Sequence, residues 1–400
     1  MESSEKIHFL TSSPAKQFIQ ENTGLSPSEI FLRHRSKYDF KELQLLVDQI
    51  QGKSKAKSKL PSWFSEDKVL YPPVVSLEQC SSEATAFYKS QLVTGDHLVD
   101  LTGGLGIDCL ALSHGFDQSV YVEQDDWLSS LFDHNASVFG KVVNVFKENA
   151  LDFVRKEIPQ QLEKFTFYID PSRRPNSNSR KFLLEDCEPN VIPLIPRLLN
   201  RGAEVLLKTS PMLDIKATLA SLGDAHRVFV VALKNDVKEV LYHFKQTERN
   251  PPKICTIDLA RKEKFDFDYN QESKLTANLG SLQSHLLEPN NAVLKAGAFK
   301  SIADRFGVSK VDINSHFYTS DQIPSGFPGR IFTNLELVSE KTLRRMQMKK
   351  INMISRNHPL SVPQLKKKFK LEEGGNSFLI GTRIQGKPTL LLADLLSKPS

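Results

Sequence analysis

The sequence predicts an α/β protein: a doubly wound, mainly parallel sheet at the centre, a helical region before it and small α+β domains after it. Three observations predict this. Apolar strand-like runs recur between residues 98 and 207, with helix-length segments between them. The first run, Leu98-Val99-Asp100-Leu101, enters a glycine turn, Thr102-Gly103-Gly104-Leu105-Gly106, and then a helix starting near Ile107. After Asn250-Pro251-Pro252 the texture changes to shorter alternating strands and helices.

Residues 1–60 read as helices. Ser26-Pro27-Ser28-Glu29 has a Ser cap, Pro at the first position and Glu three residues after the Ser. Leu43, Leu46, Val47 and Ile50 form an apolar stripe. Residues 51–59 alternate Lys with small residues, as an exposed helix end or a loop. Glu78 to Lys89 reads as one helix leading into the first strand, with Gln79 and Ser82 as weak ligand candidates on it. The second strand is Ser119–Glu123, the third Val142–Phe146, the fourth Phe165–Asp170 and the fifth Glu204–Lys208. Residues 227–232 and 239–244 read as an edge pair. Beyond residue 250 the expected elements are a strand at 254–259, a helix over 292–306, a strand after Phe327-Pro328-Gly329, a capped helix at Leu360–Lys366, and two final strands turning at Gly386. The expected domains are a helical region (1–75), the central sheet (76–250) and two α+β domains (251–338 and 339–400).

At 400 residues the chain exceeds one ordinary core. Its composition, 40% hydrophobic and 25% charged, is that of a globular protein. No apolar run of about 18 residues marks a membrane span. The first residues show no basic stretch followed by an apolar one, so no secretory signal is read. Cys80, Cys109, Cys187 and Cys255 are scattered, without CxxC pairs or a His at metal spacing. The expectation is a reducing, cytoplasmic location and no metal. Net charge is +6, but residues 335–370 hold ten Lys/Arg (Lys341, Arg344, Arg345, Lys349, Lys350, Arg356, Lys366, Lys367, Lys368, Lys370) against Glu336 and Glu340. That excess suits a polyanion, RNA first, or else a solvated helix face. Lys366, Lys367 and Lys368 are the run to test.

Ligands of doubly wound sheets bind at the C-terminal tips of the strands. Three features meet there: Asp100 with Gly103, Gly104 and Gly106; Glu123, 23 residues after Asp100; and Asp170-Pro171. A carboxylate before a glycine turn repels a pyrophosphate and suits an ammonium. One at the second strand tip suits ribose hydroxyls. The next helix begins at Asp126; its Trp127 or Leu128 is placed to pack on an adenine ring, or simply on the sheet.

These stretches, with Asn149-Ala150 and Tyr168-Ile169-Asp170-Pro171-Ser172-Arg173-Arg174, make residues 76–250 resemble the class I S-adenosylmethionine-dependent methyltransferases, which have a Rossmann-like sheet. The resemblance implies S-adenosyl-L-methionine as cofactor. Asp100 would meet its ammonium, with Thr102 and Asp108 beside it. Gly103, Gly104 and Gly106 would pass the sugar and amino acid. Glu123 would hold the ribose hydroxyls and Asn149 the adenine N6, where many members have Asp. Asp170 and Pro171 would line the meeting of acceptor and methyl group, with Arg173 and Arg174 beyond them as catalytic-site candidates. Those two arginines suit phosphate or carboxylate recognition, or a loop-fixing salt bridge.

The whole chain is similar to bacterial methyltransferase-like proteins with a ferredoxin-like domain and a C-terminal THUMP-like domain. The residues carrying this are Lys295-Ala296-Gly297-Ala298-Phe299, His316-Phe317-Tyr318-Thr319-Ser320, Phe327-Pro328-Gly329-Arg330 and Glu372-Glu373-Gly374-Gly375-Asn376-Ser377. THUMP domains bind RNA, so this resemblance implies RNA as partner. C5-pyrimidine methylation needs a cysteine nucleophile, and Leu206-Leu207-Lys208-Thr209-Ser210-Pro211 has none. A heteroatom acceptor is favoured. The usual amine signature is absent too, since Ser172 and Arg173 replace its second proline and aromatic. Two other readings stand beside the enzyme: a non-catalytic RNA-binding protein on the same fold, and a nicotinamide-dependent oxidoreductase, which Asp100 opposes.

Overall fold

The structure is a computed structural model and describes residues 1–173, 184–223, 225–245, 252–346 and 348–396. Its internal contacts form two units: Met1–His226 with Leu241–Arg249, and Arg227–Val240 with Asn250–Ser400. No helix among the described residues is long and apolar enough to cross a membrane.

The first unit begins with helices at Ser3–Thr11, Ser13–Glu21, Pro27–His34 and Phe40–Lys59. Ser26 and Glu29 form the expected reciprocal capping box. Asp39 caps the long helix through the amides of Lys41 and Glu42, at 2.6 and 3.0 Å. That helix runs through residues 51–59, so the lysine strip is a helix end. Lys53 pairs with Asp67 and Lys55 with Glu78, while Lys59 donates to the carbonyls of Leu77 and Glu78. Leu10, Phe18, Leu46, Trp63 and Tyr71 share one apolar core with Leu105, Tyr121 and Phe132 of the glycine-turn region.

The strands of this unit are β1 (Gly95–Asp100), β2 (Phe116–Val122), β3 (Asn144–Phe146), β4 (Phe165–Ile169), a short ribbon of β5 (Ser172–Arg173) with β6 (Cys187–Glu188), and β7 (Glu204–Thr209). The order β7-β4-β1-β2-β3 is parallel throughout. Asp100 lies level with Tyr121 on one side and Tyr168 on the other. That register sets Asp100, Glu123 and Asp170 at one edge of the sheet. Cys187 is buried in β6.

Next come β8 (Arg227–Leu233) and β9 (Asp236–Phe244), joined at Lys234-Asn235, both with positive φ. They are not an edge pair. β10 (Lys253–Asp258) runs parallel to β8, and β11 (Glu263–Asp268) antiparallel to β10. The cause is the burial of residues 254–258, too apolar for an edge. Fully buried Asp258 also accepts the Lys234 and Asn235 amides, at 3.2 and 2.5 Å.

The second unit adds β12 (His285–Pro289), β13 (Ser309–Lys310), β14 (Tyr318–Ser320), β15 (Gly329–Val338), β16 (Asn352–Ser355), β17 (Ser377–Ile384) and β18 (Lys387–Leu395). They form one sheet in the order β13-β14-β12-β15-β18-β17-β16. The expected α+β domains therefore share a sheet, joined where β15 pairs with β18. The expected helix over 292–306 is two helices, Asn291–Ala296 and Ser301–Phe306. Left-handed Gly297 (φ 76°) ends the first. Leu286, Phe332, Ile380 and Leu391 build one core; Leu379 and Leu390, facing the other way along β17 and β18, join the helical Leu343 and Leu365 in a second.

Glu288 is 2% exposed and holds two guanidiniums, Arg330 at 2.5 Å and Arg356 at 2.8 Å. Glu288→Ala leaves two partly buried cations without their anion. It should cost about 3 kcal/mol in chemical unfolding. A stability equal to that of the parent would show that the pair does not hold this sheet.

Candidate functional site

The glycine turn is built by two stacked rings. Tyr121 of β2 and Phe132 of the helix Asp126–Val138 stack at 3.8 Å and 3°. A Cβ on Gly103 would lie 2.2 Å from the Tyr121 ring, and one on Gly106 2.0 Å from the Phe132 ring. Gly106 also has φ +76°. These two glycines are dictated by the packing beneath them. Gly104 differs: at φ +54°, a Cβ there would meet nothing closer than the Thr102 carbonyl at 3.8 Å. Its amide donates to Glu123 at 2.8 Å, and its carbonyl accepts the Tyr121 hydroxyl at 2.5 Å.

Asp100 ends β1 and is 1% exposed. Its Oδ1 accepts the Thr102 amide at 3.0 Å; no described residue donates to Oδ2. Burial pushes its pKa well above the ordinary value, the Thr102 amide pulls it back, and the charges of Asp108, Asp170 and Glu123 raise it further. Glu123 also accepts the Asp125 amide at 2.9 Å. The Asp170 amide donates to the Thr102 hydroxyl at 2.7 Å, which links the β4 tip to the turn. Three carboxylates therefore border one edge of the sheet. The arrangement suits a ligand with cationic groups and neighbouring hydroxyls, and opposes a pyrophosphate.

Asn149 caps the helix Ala150–Lys156 through the Leu151 amide at 2.9 Å and donates to Gln124 at 3.3 Å. Trp127 is half-buried, with Lys6 over its ring at 5.0 Å. Pro171 is half-buried and Ser172 exposed. The Arg173 backbone pairs with Cys187 in the short ribbon; its side chain, and Arg174 entirely, lie outside the described residues.

Asp108, which the resemblance sets among the cofactor residues, centres a buried polar group behind the strand tips. Asp108 Oδ2 accepts the Tyr168 hydroxyl at 2.6 Å and the Ser81 hydroxyl at 2.7 Å. Its Oδ1 lies 3.2 Å from Nζ of fully buried Lys89, and Lys208 Nζ is 3.7 Å from Oδ2. Burial drives the Asp108 pKa up. The two lysine charges and the two hydroxyls outweigh it and hold the group at about 2. Lys208 Nζ also lies 2.6 Å from Asp170 Oδ2 and 3.1 Å from Ser81 Oγ.

Ser81 reaches this group because the expected helix over 78–89 is two helices, Val74–Gln79 and Glu83–Ser90. Ser82 caps the second through the Thr85 amide, and Gln79 is exposed. Tyr168 and Lys208 were open to detection, since a polar group inside an apolar parallel strand must find a partner. Ser81 and Lys89 carry no local signal. Among the cysteines near the turn, burial pushes Cys80 up to about 11 and Cys109 well above its usual range. Neither is poised as a nucleophile.

A buried carboxyl whose folded pKa is raised favours folding below its ordinary pKa, and that contribution is lost as pH rises through the raised value. Asp100→Asn removes this liability. Its unfolding midpoint should exceed the parent's at neutral pH, with the gap closing below pH 3.8, the ordinary Asp value. A pH-independent gap would show that Asp100 is not strained by its charge.

Three comparisons with known proteins bear on this site. A ferredoxin-like domain family matches residues 285–328, and a THUMP domain-like family matches residues 336–395. A crystal structure from Porphyromonas gingivalis W83, described as a candidate methyltransferase, is 31% identical. The match covers 100% of both chains, with a TM-score of 0.86. An uncharacterized S-adenosylmethionine-dependent methyltransferase of Mycobacterium tuberculosis, found in two strains, is 22% identical over 273 residues, 68% of this chain and 72% of that protein. With the acidic strand tips and the glycine turn described above, the full-length match places this chain in the class I S-adenosylmethionine-dependent methyltransferases that carry a ferredoxin-like and a THUMP-like domain.

Proposed function

We propose that this methyltransferase binds S-adenosyl-L-methionine at the tips of β1, β2 and β4 and methylates a heteroatom of structured RNA. Bound there, the cofactor supplies an activated methyl group on a sulfonium. The residues present fit it. The buried Asp100 carboxyl, with no described donor on Oδ2, suits an ammonium. Glu123 suits the ribose hydroxyls, and the open face of Gly104 lets the backbone approach. Asn149 faces the same edge from its helix cap. Asp108, already engaged by Tyr168 and Ser81, supports the cleft from behind.

The single observation that carries a heteroatom acceptor is Asp170. Lys208 engages its Oδ2 at 2.6 Å, and no described residue is bonded to Oδ1. A carboxylate oxygen in that position accepts a hydrogen bond from an attacking N–H or O–H and orients its lone pair. Pro171 stiffens the chain next to it. Arg173 and Arg174 follow directly and suit a phosphate near the acceptor.

RNA is supported by the THUMP-like segment. Its helices Glu340–Arg345 and Val362–Phe369 cover one face of the sheet through Leu343 and Leu365. They are neighbours: Lys368 pairs with Glu340, and Arg344 lies 5.8 Å from the centre of the Phe369 ring. Within the basic stretch, Lys366, Lys368 and Arg356 are engaged by Glu373, Glu340 and Glu288. Lys341, Arg344, Arg345, Lys349, Lys350, Lys367 and Lys370 are exposed. They, rather than Lys366 and Lys368, are the phosphate-facing candidates.

Methyl-labelled cofactor offered to separated RNA, protein and metabolite fractions should label RNA; label confined to protein or metabolites would overturn the RNA assignment. Asp100→Asn or Glu123→Gln should weaken cofactor binding at least tenfold by calorimetry, since each removes a charge-assisted contact of about 1.5–3 kcal/mol. Unchanged affinity in both would remove the cofactor from this cleft. Lys341→Glu, Arg344→Glu and Lys367→Glu together should weaken RNA binding and lower its log–log salt slope by about 2. An unaltered slope would return these residues to a solubility role.

A further inference from the structure

The two lysines and two aspartates behind the strand tips alternate in charge: Lys89, Asp108, Lys208, Asp170. Ser81 bridges the first three, with Oγ at 3.1 Å from Lys89 Nζ, 2.7 Å from Asp108 Oδ2 and 3.1 Å from Lys208 Nζ. Exposure rises along the series. The Lys89 side chain is 0% exposed, Asp108 10%, Lys208 12% and Asp170 36%. The inner members are sealed and only the last is open. A pair that merely held the fold would have no need of an open end at the tip of β4, next to the Asp100 turn.

The position of Lys208 has an electrostatic consequence. Asp100, Glu123 and Asp170 stand at the strand tips, and among the described residues Lys208–Asp170 is the one ion pair that any of them makes. Lys208 thus halts the accumulation of negative charge at the strand tips. The cofactor and its demethylated product share the ammonium, the carboxylate, the ribose and the adenine. They differ in charge at sulfur, which is positive before transfer and neutral after it. A change in cleft charge therefore acts on one ligand and largely spares the other.

We infer that Lys208 is a specificity-determining residue of this site: by pairing with Asp170 it limits the negative charge of the cleft and so sets how strongly the enzyme prefers its sulfonium cofactor over the neutral product. The inference rests on the S-adenosylmethionine reading of the cleft. Without Lys208, Asp170 would hold the cation harder and the product relatively less. Without the Asp170 charge, Lys208 would repel the sulfonium and leave the product favoured. Lys208 acts through Asp170 and is anchored by Ser81 and Asp108, so its own contact with substrate is not required.

The test is calorimetric titration of the full chain with S-adenosylmethionine and with S-adenosylhomocysteine, for the parent, Lys208→Met, Asp170→Asn and the double variant. Lys208→Met should shift the ratio of the two dissociation constants toward S-adenosylmethionine about tenfold, and Asp170→Asn about tenfold the other way. The double variant should return to within about threefold of the parent, because the two residues act as one pair. Equal weakening of both ligands in Lys208→Met would reduce Lys208 to a structural role and overturn the inference. So would a ratio that does not move. Lys208→Gln keeps a donor for Ser81 and Asp170 without the charge; it should give the same shift if Lys208→Met fails to fold. A parent that binds neither ligand overturns the cofactor reading itself, a result distinct from binding with an unchanged ratio.

Discussion

The buried ion pair between Lys89 and Asp108 is the interaction on which the rest of the site depends. A lysine with no exposure in a protein interior is tolerable only beside an anion. Asp108 supplies it, and in doing so fixes three other elements. Ser81 brings the segment before β1, Tyr168 brings β4, and Lys208 brings β7. Four stretches far apart in the chain thus converge behind the strand tips. Removing Asp108 would take from buried Lys89 the anion that balances it, the costly way to lose an ion pair; removing Lys89 would leave Asp108 to Lys208 and the two hydroxyls.

In front of this group the electrostatics change character. Asp108 is balanced by cations; Asp100 is not. Its burial and its carboxylate neighbours make the ionised form costly. A site that is unfavourable for its own residues is a familiar origin of the conflict between stability and function. The glycine turn divides its work in the same spirit. Gly103 and Gly106 leave room for the Tyr121–Phe132 stack, which sets the shape of the turn, while Gly104 presents open backbone toward the cleft.

Much of this was legible in the sequence. The apolar runs of β1, β2, β4 and β7, the glycine turn and the acidic tips are local patterns, and local patterns survive folding. Capping at Ser26 and Ser361 was readable for the same reason. Elements whose nature is decided by distant partners were not. The pair β8 and β9 looked like an edge because nothing in their residues says that β10 will pair outside them. The break at Cys80–Ser81 looked like helix because the hydroxyl of Ser81 is wanted by an aspartate 27 residues later. Lys89 stands in the sequence only as the last residue of the expected helix 78–89, with nothing local to mark its burial. The lysine run 366–368 stands out in the sequence as the run to test, yet Glu340 and Glu373 engage two of its three members. Arg174 and the Arg173 side chain, which the sequence singles out beside Asp170, lie outside the described residues.

In the proposed cofactor site, the costly ionic environment of Asp100 is relieved by the cofactor's ammonium. Binding should then be coupled to its ionisation. The most direct measurement is calorimetric titration of S-adenosylmethionine in buffers of different ionisation enthalpy, from acid to neutral pH. Net proton release on binding is expected at pH values above 3.8, the ordinary Asp value, with its loss in Asp100→Asn. Binding by the parent without proton exchange anywhere in that range would contradict it.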